Sequence, residues 1–369
     1  MSPLDFNGAH RPANLIRYPG NELSALDLIA MSKRAKADSP ASRLNESDLS
    51  RLAADIDAAL PRVHRYAPAT PILRLPSLNA LIKGQVMLKA ECAQATGSFK
   101  IRGALNVMTQ FSREGVDRVI AFSSGNHGIG VAYAAQCLEM TATIVVPHDA
   151  PEAKADRIRR LGGEIVWYDR LSEDREQVAN AIQDKTPAPL VKPYDDWDTI
   201  AGQGTCGAEV IAQAPGAIDT AIICTGGGGL AAGIGTYLKS HYPDTRVFTA
   251  EPEGWHDHYL SFQSGKRVKA PGDGTQWCDG LLAPIPGELT FSINQANDAE
   301  GLCVSDEWVA SAMRTAWQCL GIKLEPSGAV ALGALLSRPE LFQGQRLLVT
   351  LTGGNVDDQR FSECLALAG

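Results

Sequence analysis

From Arg118 onward the chain alternates short apolar runs with runs of helical length, and that alternation narrows its possible folds more than any other feature. Arg118–Phe122, Ala142–Val146 and Glu164–Tyr168 read as strands, and Leu190-Val191 starts another. Between them lie an alanine-rich helix Gly128–Leu138, a basic amphipathic helix Glu152–Leu161 and a helix Ser172–Asp184. Strands separated by helices of this size pair in parallel and need helical cover. Residues 118–194 therefore read as a small domain on a parallel sheet. A second series starts at Thr220–Cys224, turns through the glycine run 226–229, and continues as helix Leu230–Ser240 and strand Val247–Ala250. Helices Glu307–Leu320 and Ser327–Leu336 and a strand Leu347–Leu351 complete it. The stretch from about Gly254 to Ala283 is rich in Gly, Asp and aromatics and reads as a long functional loop.

The first fifty residues carry no chemical signature, and residues 1–60 read as an N-terminal arm with helices. Leu23–Lys36 is a short helical candidate. Asn45-Glu46-Ser47 opens a second helix to about Leu60, with Pro61 and Pro68 bracketing its exit. The arm is expected to pack on the body or on a neighbouring subunit, or to be partly disordered.

A length of 369 residues has room for two domains, and 44% hydrophobic with 21% charged residues is ordinary globular composition. A net charge of −8 argues against nucleic acid or an anionic membrane as partner. No apolar run is long enough to span a bilayer, and no signal-peptide pattern is present. The eight cysteines have no C-x-x-C spacing and read as reduced thiols of a cytoplasmic protein, so a structural zinc site is not expected.

Four motifs carry chemistry. In Ser98-Phe99-Lys100-Ile101-Arg102-Gly103-Ala104, one lysine stands between a hydroxyl residue and a small, glycine-punctuated stretch. Buried and partly neutral, its amine can form a Schiff base with an aldehyde cofactor and later act as a base. Taken alone, a lysine in such a run is usually on the surface. Thr225-Gly226-Gly227-Gly228-Gly229-Leu230 lies between a strand and a helix, where backbone N–H groups and the helix dipole suit a phosphate. A plain tight turn reads equally well, and a dinucleotide fold would use such a turn with Glu251 after the next strand. No P-loop Lys-Ser/Thr pair follows, which disfavours nucleotide triphosphate hydrolysis. Ser123-Ser124-Gly125-Asn126-His127-Gly128 opens a helix with two hydroxyls and an amide, a cradle for a carboxylate. Asn126 can also meet a ring phenol oxygen, whereas His127 on its own is more often structural. Thr352-Gly353-Gly354-Asn355 follows the last strand, as a turn or as a hydroxyl facing a ring nitrogen. Glu251 and Asp257, with a turn between them, could share a hard cation with backbone carbonyls or be surface acids.

Together the motifs resemble the fold type II pyridoxal-phosphate enzymes, most nearly the serine/threonine dehydratases and serine racemase. The resemblance spans about residues 65 to 365 and includes Thr70-Pro71, Gly202-Gln203-Gly204-Thr205, Asp279-Gly280 and Glu325-Pro326-Ser327-Gly328-Ala329 besides the segments above. It implies an α/β, tryptophan-synthase-β-like architecture of two domains, each a mostly parallel sheet covered by helices. The large, cofactor-binding domain would comprise residues 61–117 and 195–369, and the small domain residues 118–194.

Carried over to this chain, the resemblance implies that Lys100 holds pyridoxal 5'-phosphate. Phe99 would pack against its ring, Asn126 contact its phenolic oxygen, and Thr352 meet its pyridine nitrogen. Gly226, Gly227, Gly228 and Gly229 would bind its phosphate. Ser123, Ser124, Asn126 and His127 would surround the substrate carboxylate. Ser124 stands where serine racemase uses a serine as its opposite-face base. Arg175 aligns with an arginine that binds a distal carboxylate in the racemase-like branch, although in its charged run it reads equally as a solvated helix residue. Glu251, the backbone carbonyl of Trp255, and Asp257 resemble a Mg²⁺ or Ca²⁺ site. The implied activity is dehydration of a β-hydroxy amino acid (serine, threonine, 3-hydroxyaspartate or phenylserine) to a 2-oxo acid and ammonia. The alternative is a serine or aspartate racemase. Trp277-Cys278 before Asp279-Gly280, where the family usually has alanine before Asp-Gly, is a departure that would reshape the side-chain pocket. A homodimer acting on a small amino acid is expected.

Overall fold

The computed structural model describes residues 44–367 except Ser124, Pro151, Arg170 and Pro215, and except the side chains of Arg175 and Glu176. The Leu23–Lys36 candidate helix, Ser124 and the Arg175 side chain thus lie outside the described residues. Asn45 caps the first described helix, Glu46–His64: its side chain accepts from the Ser47 and Asp48 amides while Asp48 accepts from the Asn45 amide. This helix does not end before Pro61 but runs through it to His64. Leu52, Ile56, Ala59 and Val63 are buried along it, and Leu52 and Ile56 pack in one cluster with Ile200, Ala208 and Ala232. That burial outweighs the lost hydrogen bond at the proline.

Nine strands lie among the described residues: β1 (Ile72–Leu73), β2 (Gln85–Ala90), β3 (Arg118–Phe122), β4 (Thr141–Pro147), β5 (Glu164–Tyr168), β6 (Thr220–Cys224), β7 (Arg246–Pro252), β8 (Glu300–Val304) and β9 (Arg346–Leu351). They form a six-stranded sheet in the order β1-β2-β9-β6-β7-β8 and a three-stranded sheet β3-β4-β5. Every pair is parallel except β1 with β2 at one edge. Leu190 makes only an isolated bridge to Ile120, so the strand expected there does not form. The region expected to be one long loop contains a helix, Asp257–Ser264. Helix Ser172–Asp184 is shifted to Arg175–Lys185.

The order places the site. The last strand, β9, inserts between β2 and β6 with Ile222 opposite Val349, so the segments after Cys224 and after Leu351 leave the same edge side by side. In a parallel sheet, ligands bind beyond the carboxyl ends of the strands. Behind the sheet, helices Trp197–Gln213 and Gly229–His241 touch backbone to backbone. A Cβ on Gly233 would stand 2.6 Å from the Gly204 amide nitrogen, so only glycine permits this approach.

Candidate active site

Lys100 is the first residue of helix Lys100–Arg113. Its approach is tied to the end of β9: Ser98 bridges Gly353, and the Phe99 amide donates to the Thr352 carbonyl at 3.2 Å. The Lys100 Nζ donates to the Pro193 carbonyl at 2.8 Å and lies 5.0 Å from the Phe99 ring centre and 5.9 Å from that of Tyr194. Burial lowers its pKa from 10.5 to about 8. At neutral pH on the order of a tenth of such an amine is unprotonated, against well under a thousandth of an ordinary lysine.

The glycine turn leads from β6 into helix Gly229–His241. Gly228 has φ 93°, the left-handed region that glycine adopts without strain. Thr290 Oγ1 donates to the Gly227 carbonyl at 2.6 Å and Asn294 Nδ2 to the Gly228 carbonyl at 3.1 Å. A Cβ on Gly227 would enter the Tyr194 ring, and one on Gly228 would stand 2.5 Å from His258 Nε2. Carbonyls tied back at a helix N-terminus, with no side chains in the way, make a cup for an anion.

Opposite the turn, Ser123 and Gly125 lead into helix Asn126–Leu138, the Gly125 amide donating to Ser123 Oγ at 3.1 Å. Asn126 donates to Glu325 Oε1 at 2.6 Å and accepts from Asn355 Nδ2 at 2.7 Å. The other Glu325 oxygen is buried without a hydrogen bond, and burial pushes this carboxyl up to about 7. His127 Nε2 lies 2.8 Å from the Val191 carbonyl, and burial drives its pKa down to about 3, so a neutral ring donates to that carbonyl. His127 thus orients the helix rather than offering positive charge to a carboxylate. Thr352 is buried beside Cys224, and its amide donates to Gly328 O at 3.3 Å. Arg175 starts its helix.

Sequence reasoning gave Glu325 no role, although an acid at the mouth of the uncharged, largely apolar helix Pro326–Ser337 was a usable signal. It also passed over Lys154 and Arg157. From helix Glu152–Arg160 of the small-sheet side, these pair with Asp279 and Asn355.

Beside the glycine turn, Glu251, Asp257 and His258 bring one ligand atom each within 4.8 Å of the others. The Glu251 oxygens accept the His258 and Tyr259 amides, each at 2.8 Å, closing the start of helix Asp257–Ser264. Both Asp257 oxygens are buried without a hydrogen bond, and burial raises both carboxyls to about 8. The Trp255 indole donates to Thr275 O at 3.1 Å. His258, absent from the sequence-based set, is the third side chain here.

Two residues past Lys100, Arg102 anchors the helix in a fully buried ion network. It grips Glu91 (2.6 and 2.8 Å) and Glu209 (2.6 and 2.8 Å), and Lys89 also pairs with Glu209 at 2.6 Å.

The arrangement suits pyridoxal phosphate: an amine kept partly neutral by burial, an anion cup that excludes side chains, and the neutral Thr352 hydroxyl at the end of the adjacent strand. The model of the pyridoxal-phosphate dependent enzymes matches residues 64–353. The chain belongs to this family. An L-threo-3-hydroxyaspartate ammonia-lyase from Pseudomonas is 38% identical over 312 residues, covering 84% of this chain and 97% of that protein. A serine racemase from rice is 37% identical over 314 residues, covering 83% and 92%. The structure of the processed threonine deaminase isoform 2 from Solanum lycopersicum superposes with a TM-score of 0.83 at 31% identity, covering 90% and 99%. The six- and three-stranded sheets are thus the two mostly parallel sheets of a fold type II pyridoxal-phosphate enzyme, and Lys100 and the glycine turn both lie near the ring of Tyr194.

Proposed function

We propose that this family member is an ammonia-lyase that converts a β-hydroxy amino acid to a 2-oxo acid and ammonia, with 3-hydroxyaspartate as the leading substrate. The observation that carries it is Lys100: a half-buried lysine whose desolvated amine has no carboxylate partner among the described residues and lies near Tyr194, the ring that also covers Gly227 of the glycine turn. Its similarity to a hydroxyaspartate ammonia-lyase supports the substrate class.

Bound pyridoxal phosphate supplies the electron sink for the carbanion left when Cα loses its proton. The residues of this chain do the rest. Gly226–Gly229 and the following helix N-terminus hold the phosphate. Ser123, Gly125 and the N-terminus of helix Asn126–Leu138 orient the substrate α-carboxylate, and the neutral His127 fixes that helix against Val191. The Lys100 amine takes the α-proton. Thr352 would offer the pyridine nitrogen a hydroxyl instead of an acid, which would favour loss of the β-hydroxyl over reprotonation at Cα. The proton taken by the Lys100 amine would balance that loss, the hydroxyl leaving as water. Asn126 has its amide orientation fixed by Glu325 and Asn355.

Incubation with L-serine, L-threonine, threo-3-hydroxyaspartate and phenylserine tests this. Ammonia and a 2-oxo acid are expected, most from hydroxyaspartate. Formation of D-isomer without ammonia would instead establish the racemase reading, which the identity of Ser124 and the rice relative support.

We extend the reading to a divalent cation held by Glu251, Asp257 and His258, supported by the buried Asp257 carboxyl, whose oxygens make no hydrogen bond. A cation bound only by the folded chain stabilises it by mass action, about 2.7 kcal/mol at a hundredfold excess over Kd. Millimolar Mg²⁺, Ca²⁺ or Mn²⁺ should therefore raise the melting temperature of the wild type and not that of Asp257→Asn. Equal shifts in both proteins would refute the site. The reading also takes the two sheets as separate domains and the active form as a cytoplasmic homodimer; sedimentation at micromolar concentration checks the latter.

A further inference from the structure

If the substrate is a dicarboxylic amino acid, as proposed above, its second carboxylate needs a cation inside the site. Lys100 is committed to the cofactor and the proton. Arg157 is held by Asn355 and, at 3.3 Å, by the Ala95 carbonyl. Lys154 is placed differently. Its Nζ lies 3.8 Å from where a Cβ on Gly125 would stand, beside the turn that opens the α-carboxylate cradle. Its ion-pair partner, Asp279, adjoins Gly280 and Leu281, which in turn lie 3.2 and 3.1 Å from a Cβ position on Gly226 in the glycine turn. The ammonium therefore lies on the turn of the proposed carboxylate cradle and is tied, through Asp279, to the segment that packs on the glycine turn. Its own side chain is only 14% exposed, whereas that of Asp279 is 43% exposed.

This asymmetry suggests an exchange. A nearly buried ammonium needs a counter-charge at all times. Asp279, reaching water, can give up the pair at little cost. A substrate such as serine brings no second carboxylate, and Asp279 stays. A diacid brings one, and it takes over the ammonium while Asp279 turns to solvent. We propose that Lys154 is the specificity-determining cation of this site, reading the second carboxylate of a dicarboxylic β-hydroxy amino acid, with Asp279 as its placeholder. This differs from the assignment of that role to Arg175 by family resemblance.

The test uses the cofactor-loaded enzyme and two readouts. The first is the ratio of kcat/KM for threo-3-hydroxyaspartate to that for L-serine, from ammonia release. In Lys154→Met this ratio should fall at least 30-fold, chiefly through the KM for hydroxyaspartate, because a charge-assisted pair is lost. Lys154→Arg should recover part of it. The second is binding of unreactive succinate, followed by the change in cofactor fluorescence. Its Kd should rise at least tenfold in Lys154→Met and fall in Asp279→Asn, where the placeholder no longer competes. Succinate binding needs no turnover, so it tests Lys154 even if no β-hydroxy amino acid releases ammonia and the lyase reading fails. An unchanged ratio, unchanged succinate affinity, or a selective loss in Arg175→Ala in place of Lys154→Met would each overturn the proposal. Should Lys154→Met not fold, weaker or unaltered succinate binding by Asp279→Asn would overturn it as well.

Discussion

Lys100→Ala is expected to lower ammonia release by at least three orders of magnitude while leaving a folded protein. Loss of a nucleophile that also moves the proton removes two functions at once, and such losses are of about this size or larger. Folding should survive because the amine makes a single described hydrogen bond, to the Pro193 carbonyl, and Gln203 Nε2 donates to the same carbonyl at 3.1 Å. No buried group is orphaned by the change. The variant should also fail to develop the visible absorbance of the loaded wild type when soaked in excess cofactor.

The direction of the lysine's pKa shift adds a second readout on apoprotein. Its folded value, about 8, lies below its unfolded value of 10.5, so protonation opposes folding. The stability contributed by the neutral amine is complete above the unfolded value and is lost as pH falls through the folded one. Apo wild type should gain stability over Lys100→Ala as pH rises from 7 to 10.5. Its rate of cofactor uptake should climb to about pH 8 and then level off. A plateau only near pH 10 would mean that the amine is solvated, and retention of visible absorbance by the alanine variant would remove Lys100 from its role.

Arg102→Met should cost about 3–5 kcal/mol of stability, the range for removing one partner of a buried ion pair. Arg102 is completely buried, and its guanidinium faces two carboxylates from separate elements, Glu91 after β2 and Glu209 in helix Trp197–Gln213. Without it, Glu209 keeps Lys89 and the His64 ring, whereas Glu91 keeps only the Thr70 hydroxyl. Glu209 is held down to about 2 in the intact network despite its burial, by Arg102 and then Lys89. A depressed carboxyl stabilises the fold above its unfolded pKa, and that contribution disappears only as pH falls towards 2. In the variant Glu209 should titrate at higher pH, so the stability gap should narrow between pH 7 and 5. Urea unfolding at the two pH values measures both effects. Arg102→Lys, which keeps the charge but loses the fork, should fall between. A loss under about 1 kcal/mol would show that the network is not a major support of the fold.

Much of this molecule is legible in one dimension. The strand and helix alternation after Arg118 follows from local periodicity. The glycine turn follows from a backbone demand that glycine meets best at Gly228. The candidacy of Lys100 follows from its small neighbours. What was missed is non-local. A proline reads as a stop, but Leu52 and Ile56 pack against residues some 150 positions away, and that burial carries the helix past Pro61. The long loop hid a helix because its start is closed by Glu251, a residue from the preceding strand.

The charged residues divide in the same way. Lys89, Glu91, Arg102 and Glu209 look like ordinary surface charges until β2 and two helices bring them together at zero to 3% exposure. Glu325 gains its near-neutral carboxyl only when distant segments bury it, and Lys154 meets its counter-ion Asp279 from 125 positions away in sequence. Residue type and backbone preference are written locally, so the sequence by itself determined the class of fold and singled out Lys100 and the glycine turn as candidates. Burial and charge pairing depend on which distant segments share a low-dielectric interior, so tertiary structure alone decided which acids are desolvated and which cations pair with which acids.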